Sequence, residues 1–402
     1  MKNRLLWISF FSYMIIAFTL VVIGALLPEI LTHYKQNYSN GGVLIFSQFI
    51  GFLLGVISMP FLVQKLGRKH VVVIGLFLIS LELFIFFLPD WHLLFPLVAL
   101  AGYGAGLAES CIGTIILVTF QEKQAMAMGK LEVAFGLGAL FMPLFSSFLI
   151  SNGIWEYAFF LLGISSFLVM LGWKLASFGT INGYLIKNKK DASPINQKIS
   201  SYTKKTVPII IFSAIYFFCY GGSEVSIVHF LPSIFREEWG ISNSLATVTV
   251  TIYWLAMVIG RALTGSISEK FTYNSFLLFI NIGGLLVLIA FGLNNNIWIG
   301  FFLCFLLGLC MAAMFAIALI ITNKYFPGQT EKTTSILLAM NGFGGSVIPV
   351  MIGHSMDTYP VHISFWFFAS IMFIMLMLII GIQLLGTKQL SFIKELDQNH
   401  KG

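Results

Sequence analysis

Residues 136–143 read Gly136-Leu137-Gly138-Ala139-Leu140-Phe141-Met142-Pro143, and residues 342–349 read Gly342-Phe343-Gly344-Gly345-Ser346-Val347-Ile348-Pro349. Each string sits in a long apolar run, and each carries a Gly-x-Gly followed by a proline. Nearly the same offset links Leu27-Pro28-Glu29-Ile30 to Leu231-Pro232-Ser233-Ile234, Gly55 to Gly260 and Gly102 to Gly308. A repeat at 204 to 206 residues in a chain of 402 makes each half a copy of one unit.

The material around the repeat is membrane material. Hydrophobic residues make up 58% of the chain, charged residues 10%, and the mean hydropathy is +0.92. Soluble domains carry about 25% charged residues, so there is too little polar surface here to cover a water-soluble globule. Disordered, collagenous and disulfide-scaffold classes are excluded as well. A hydrocarbon core needs about 20 apolar residues per helix. Spans are expected at 5–30, 41–63, 70–89, 92–119, 129–150 and 154–177, then at 207–232, 243–267, 273–293, 297–322, 333–354 and 361–386. The fold class is therefore an all-α polytopic membrane protein with 12 transmembrane helices in two six-helix pseudo-symmetric bundles. Residues 1–177 form the first bundle and 207–386 the second, with a linker at 178–206 and a tail at 387–402. The linker holds Lys187, Lys189, Lys190, Lys198, Lys204 and Lys205 against a single Asp191. The N-terminal run is too long for a signal peptide and lacks a small-residue cleavage site, so it reads as a retained first span.

The net charge of +7 suggests nucleic acid only until its distribution is read. With both termini and the linker in the cytoplasm, every Lys and Arg except Lys35, Arg236 and Arg261 falls inside. That is the positive-inside pattern. Cys111, Cys219, Cys304 and Cys310 lie in apolar runs and read as small hydrophobes. There is no P-loop, CxxC or His-Glu-x-x-His, so neither an enzyme, a metal site nor a cofactor is expected.

A charge at the bilayer centre costs about 2.5–3.5 kcal/mol, which singles out Glu82, Glu109, Glu132, Glu224, His229 and Arg261. None of the acids Glu109, Glu132 and Glu224 has an acidic counterpart in the other half; those positions are Phe315, Leu338 and Leu20. Low dielectric favours the neutral form of an acid, so Glu109, deep in its span past Gly102, Gly104 and Gly106, is a candidate proton carrier. Glu132 and Glu224 are candidate partners in coupling, although Lys130 offers Glu132 a local pair. Arg261 keeps its charge and needs either an acid across the halves or a structural partner such as Glu269; with His229 it completes a charge network. Glu82 has no evident partner. Gln48, Trp254, Asn281 and Asn341, together with Tyr103, are polar-tipped residues suited to orienting a hydroxylated ligand. The glycines of span four suit close packing, and Gly136, Gly138 and Pro143 with their repeat suit a bend.

Pro60 to Lys69 resembles the loop motif Gly-x-x-x-Asp-Arg-x-Gly-Arg-Lys of major facilitator transporters. Gly67, Arg68 and Lys69 are kept, while Pro60, Gln64 and Lys65 replace the first Gly, the Asp and the Arg. Gly265, Glu269 and Lys270 keep more of it in the second half. The resemblance implies a cytoplasmic latch, weakened in the first half by the missing Asp, and a substrate site near midplane between the halves. Longer strings are similar to bacterial glucose/mannose:proton symporters of the fucose-galactose-glucose:proton symporter group. They are Gln48-Phe49-x-Gly51-Phe52-x-x-Gly55, Gly102-Tyr103-Gly104-Ala105-Gly106-x-x-Glu109, the run from Lys130 to Leu140, Phe230-Leu231-Pro232-Ser233-Ile234 and Ile259-Gly260-Arg261. In that group the acid matching Glu109 is implicated in proton coupling or sugar binding. The fucose branch carries an Asp four residues before the proline of span one, where this chain has Gly24.

Two functions are therefore expected to compete. One is sugar:proton symport at the plasma membrane by a monomer. The other is proton-coupled export of a drug or a small zwitterionic, metal-chelating metabolite. The Gly-Pro pair typical of drug antiporters is absent, since Met142 precedes Pro143. A non-transporting sensor is disfavoured by the short tail from Thr387 to Gly402.

Overall fold

Hydrocarbon offers no hydrogen bonds, so a spanning segment must satisfy its own backbone, and a helix does this locally. The computed structural model describes residues 2–88, 90–120, 124–178, 207–268, 272–326 and 330–399, and these are helical nearly throughout, without strands. Among the described residues, twelve helices are long and apolar enough to cross a membrane. In order they are Asn3–Ala25, Tyr38–Leu66, Arg68–Phe87, Trp91–Thr119, Ala127–Ser151, Tyr157–Leu175, Val207–Trp239, Asn243–Thr264, Tyr273–Leu293, Ile297–Lys324, Thr333–Thr358 and Ile363–Leu385. The expected linker lysines lie outside the described residues, as do Glu269 and Lys270.

The departures from the expected spans have local causes. Span one stops at Ala25, and a short helix, Leu27–Tyr34, restarts with Pro28 in its first turn. Proline lacks the N–H that a continuing helix would use, and a first turn does not need it. Its repeat partner Pro232 instead lies inside the unbroken helix Val207–Trp239. Span three tightens into a 3-10 segment, Leu81–Phe87, which contains Glu82. Span ten is two helices, Ile297–Met311 and Met314–Lys324, meeting at Ala312 and Ala313 with no glycine or proline at the join. The helix of span twelve continues through Asn399.

The repeat read from the sequence is a repeat of contacts. A Cβ on Gly138 would strike the carbonyl of Met14 in span one, at 2.7 Å. A Cβ on Gly344 would strike the carbonyl of Phe218 in span seven. Both members of each pair are displaced by the sequence offset, so spans five and one pack as spans eleven and seven do.

The described residues group into two compact units. The first comprises those within Met1–Ile195, with Ser226–Trp254 and Pro349–Val361. Its frame is the contact of span two with span four. Gly51 faces the carbonyl of Ala99, Gly55 that of Tyr103, Gly102 that of Gln48 and Gly106 that of Phe52. Span three joins through Gly75 and Gly104. Span six joins span one through the Trp173 indole, which donates to Ser12 Oγ at 2.9 Å. The second unit comprises the described residues within Asn196–Val225, Leu255–Ile348 and His362–Gly402. There Phe291 stacks on Phe365 at 4.5 Å, and Thr322 donates to Ser213 Oγ at 3.0 Å.

The contact between spans two and four supports a direct test. Gly102→Leu places a side chain against backbone, which cannot yield, and overpacking typically costs about 1–3 kcal/mol. The variant is expected to melt at lower temperature, or to be lost from the monodisperse peak in size-exclusion chromatography. Gly129→Ala, whose Cβ would meet nothing within 4 Å, is expected to behave as the parent protein does.

Candidate functional site

In the first unit the candidate residues gather around span four. Glu109 is held on a helix whose backbone is pinned one and two turns earlier by Gly106 and Gly102, so its carboxyl has a rigid base. Its Oε2 is buried with no hydrogen-bond partner among the described residues. Tyr13 of span one donates its hydroxyl to the Glu109 backbone carbonyl at 3.1 Å, beside Gly113. Glu132, exposed on span five, is near enough for its charge to act on both Glu109 and Tyr13. The arrangement is two acids and a phenol, one acid half-buried with one oxygen enclosed and the other acid exposed.

Gln48 is fully buried. Its amide donates to the Thr19 carbonyl at 2.7 Å, and its Oε1 has no partner among the described residues. Tyr103 accepts from Ser58 Oγ at 2.8 Å. His229 is buried against span one and hydrogen-bonded to the Leu20 backbone, with the Phe49 ring edge-on at 5.6 Å. Gly24 lies directly under it, since a Cβ there would be 2.5 Å from His229 Cα. An Asp at position 24 therefore has no room while His229 is in place. Trp254 packs edge-on against Phe135 of span five, with centroids 6.2 Å apart. Glu82 is fully buried, and neither of its carboxylate oxygens meets a donor among the described residues.

In the second unit Arg261 reaches Glu224 of span seven at 3.5 Å, an acid of its own half. Tyr220, one turn before Glu224, is hydrogen-bonded to that carboxyl. Gly221 lets the Asn341 backbone and side chain press against span seven, and Asn341 Oδ1 is buried without a partner among the described residues. Asn281 donates to the Leu277 carbonyl at 2.8 Å and lies 3.4 Å from the Tyr216 hydroxyl, inside the helix packing. Glu224, Arg261 and Asn341 thus form one cluster, and Asn281 lies apart from it with Tyr216.

Gly67 turns the chain between spans two and three at φ 85°, a conformation that glycine adopts without strain. Lys69 donates to the Ala176 carbonyl at 2.8 Å, capping the end of span six. The part of the latch motif kept in the first half therefore ties two helices of that half together. Of its counterpart, Gly265 lies in the helix of span eight.

Residues that the sequence reading missed close the end of the first unit bearing Pro28 and Tyr38. Asp357 accepts from the backbone N–H groups of Tyr38 at 2.8 Å and Ser39 at 2.6 Å. A carboxylate on the first turn of a helix satisfies donors that the helix cannot. Around it Gly353 backs onto Tyr38, and Gly42 onto the Pro349 carbonyl. The Tyr38 hydroxyl donates to Glu237 at 2.7 Å, Asn243 to Glu29 at 2.6 Å, and Arg236 to Thr32 Oγ1 at 3.2 Å. The ends of spans seven, eight and eleven are thereby sealed onto spans one and two.

The chain matches the model of the Major Facilitator Superfamily over residues 9–233 and 212–399. It belongs to that superfamily: it is a multi-pass membrane transporter, not an enzyme. The glucose/mannose transporter GlcP of Bacillus subtilis (strain 168) is 30% identical over 370 residues, covering 89% of this chain and 88% of that one. The proton-coupled antiporter flippase LtaA of Staphylococcus haemolyticus (strain JCSC1435) is 23% identical, covering 73% of this chain and 72% of its own length. Among solved structures, a D-xylose-proton symporter superposes with a TM-score of 0.77 at 14% identity, covering 94% of this chain and 97% of that one. That likeness is one of fold.

Asp357→Ala removes both charge-assisted bonds to span two. In purified protein carrying Ser39→Cys, maleimide labelling of that cysteine is expected to accelerate by about tenfold or more, because hydrogen bonds to charged groups contribute about 1.5–3 kcal/mol. An unchanged rate would show that the seal does not depend on the carboxylate.

Proposed function

We propose that this transporter imports a sugar together with a proton across the plasma membrane, as a monomer. The termini and residues 178–206 are cytoplasmic in this reading. The observation that carries it is the Glu109 carboxyl, with one oxygen buried and no donor to satisfy it among the described residues. Burying an ionised oxygen without a partner is costly, and taking up a proton removes that cost. The state of Glu109 then biases which arrangement of the helices is favoured. Glu132, close by and exposed, is the acid that passes the proton on.

The substrate class rests on the glucose/mannose transporter of B. subtilis, which is matched along nearly the whole chain. The buried acceptors Gln48 Oε1 and Asn341 Oδ1 suit hydroxyl donors, and Trp254 offers an aromatic face to a sugar ring. The pair of Arg261 with Glu224 forms the charge network of the second half. His229, held under span one, belongs to the closed end rather than to the proton path. Alternating access follows from rocking of the two repeats. In that cycle the seal around Asp357 is the external gate, and bundles 1–177 and 207–386 are the moving bodies.

A second reading, proton-coupled export of a drug or zwitterionic metabolite, is favoured by the match to a proton-coupled antiporter flippase. Counterflow in proteoliposomes with labelled glucose or mannose separates the two. Saturable exchange is expected for import of a sugar. Its absence, with drug or chelator efflux from cells, would favour the second reading. Glu109→Gln is expected to abolish accumulation driven by a pH gradient while leaving exchange intact. Full pH-driven uptake by that variant would remove Glu109 from coupling.

A further inference from the structure

Span ten breaks at Ala312 and Ala313 without the residues that ordinarily break helices. Breaks of this kind also arise where a side chain inserts into the backbone ladder. Here the Tyr220 hydroxyl of span seven donates to the Met311 carbonyl at 3.3 Å, at the last residue before the break. In a continuous helix that carbonyl would take the N–H of Phe315, four residues on. Phe315 instead lies in the first turn of the second segment, where N–H groups lack intrahelical partners. Its ring packs on Tyr220 at 5.9 Å, so the hydroxyl and the break are held together.

The same hydroxyl is hydrogen-bonded to Glu224, which pairs with Arg261. A phenol has one proton to donate. Tyr220 therefore donates either to the carboxylate or to Met311, never fully to both. We propose that Tyr220 is a positioning residue that transmits the protonation of Glu224 to span ten. When Glu224 is ionised it accepts the Tyr220 hydrogen bond, the proton staying on the phenol, and the Met311 carbonyl returns to the N–H of Phe315. When Glu224 gains a proton, it donates to the Tyr220 oxygen. The phenol proton then turns to Met311, and the break is held. One proton enters and forms an O–H bond at Glu224, no other covalent bond forms or breaks, and Arg261 keeps its charge throughout.

The other groups around Glu224 leave this exchange to the phenol. Among the described residues, the charged and titratable groups bearing on Glu224 are Arg261 from span eight and Tyr220 from its own span. Span eleven brings Asn341 and Ile348 against Gly221 and Gly222, and span ten brings Phe315; none of these titrates. The switch rests on the transport reading above for its place in a cycle, but its contacts can be tested without substrate.

Hydrogen–deuterium exchange of the full-length protein in nanodiscs, at one neutral pH, reads the break directly. Tyr220→Phe keeps the ring and frees Met311, so with position 224 held neutral, as in the Glu224→Gln background, exchange at the Phe315 amide is expected to slow by about two- to tenfold, the range one neutral hydrogen bond supplies. Glu224→Gln donates permanently to Tyr220 and is expected to exchange as fast as wild type or faster. The double variant is expected to follow Tyr220→Phe. Exchange in the double variant as fast as in Glu224→Gln or faster, exchange slower in Glu224→Gln than in wild type, or a difference between the double variant and Tyr220→Phe would overturn the proposal. So would an equal effect from Tyr216→Phe, whose hydroxyl lies by Asn281 on the same span, because the cause would then be general loosening. Failure of sugar counterflow would leave all these outcomes readable.

Discussion

Backbone pressed on backbone through glycine is the interaction on which the other features of the first unit depend. Lipid tails are as apolar as leucine, so helices in a bilayer gain little from merely hiding side chains from one another. What distinguishes one neighbour from another is close fit. Gly51, Gly55, Gly102 and Gly106 provide it between spans two and four, where each faces a carbonyl of the opposite helix. Gln48 and Glu109 project from the two helices joined in this way. Polar groups buried beside such a seam keep their positions because the seam leaves the helices no slack.

The division of labour between repeat and charge follows from the same physics. Packing is duplicated: Gly138 on Met14 is matched by Gly344 on Phe218. The ionisable groups are not duplicated, and the two halves use theirs differently. The first unit buries one carboxyl oxygen of Glu109, with no donor to it among the described residues, beside an exposed acid and a phenol. The second pairs an acid with an arginine. One half leaves a carboxyl oxygen unpaired among the described residues, and the other sets its acid against a permanent charge.

Much of this was legible in the residues and some was not. The spans were readable because hydropathy needs only composition over about 20 residues, and the repeat because its glycines and prolines sit where substitution would cause clashes. Helix ends were less readable. Pro28 and Pro232 occupy equivalent places, yet one begins a new helix and the other lies inside a continuous one. The break at Ala312 had no local signal at all, since its cause is a tyrosine on another span. Tyr220 could have been singled out as lying one turn from Glu224. Asp357 looked like an ordinary polar residue at the end of a span, because its partners are main-chain groups that no residue pattern displays. Arg261 was legible as a charge needing a partner; that the partner would be Glu224 depended on the packing of spans seven and eight.

The contact of Gly24 with His229 bears on how this lineage can change. A methylene at position 24 would collide with the main chain of span seven, not with a movable side-chain tip. An aspartate therefore cannot be acquired there by a single substitution; the helix bearing His229 must first be displaced. Position 24 and the seat of span seven are thus epistatic, and a change at either is constrained by the other.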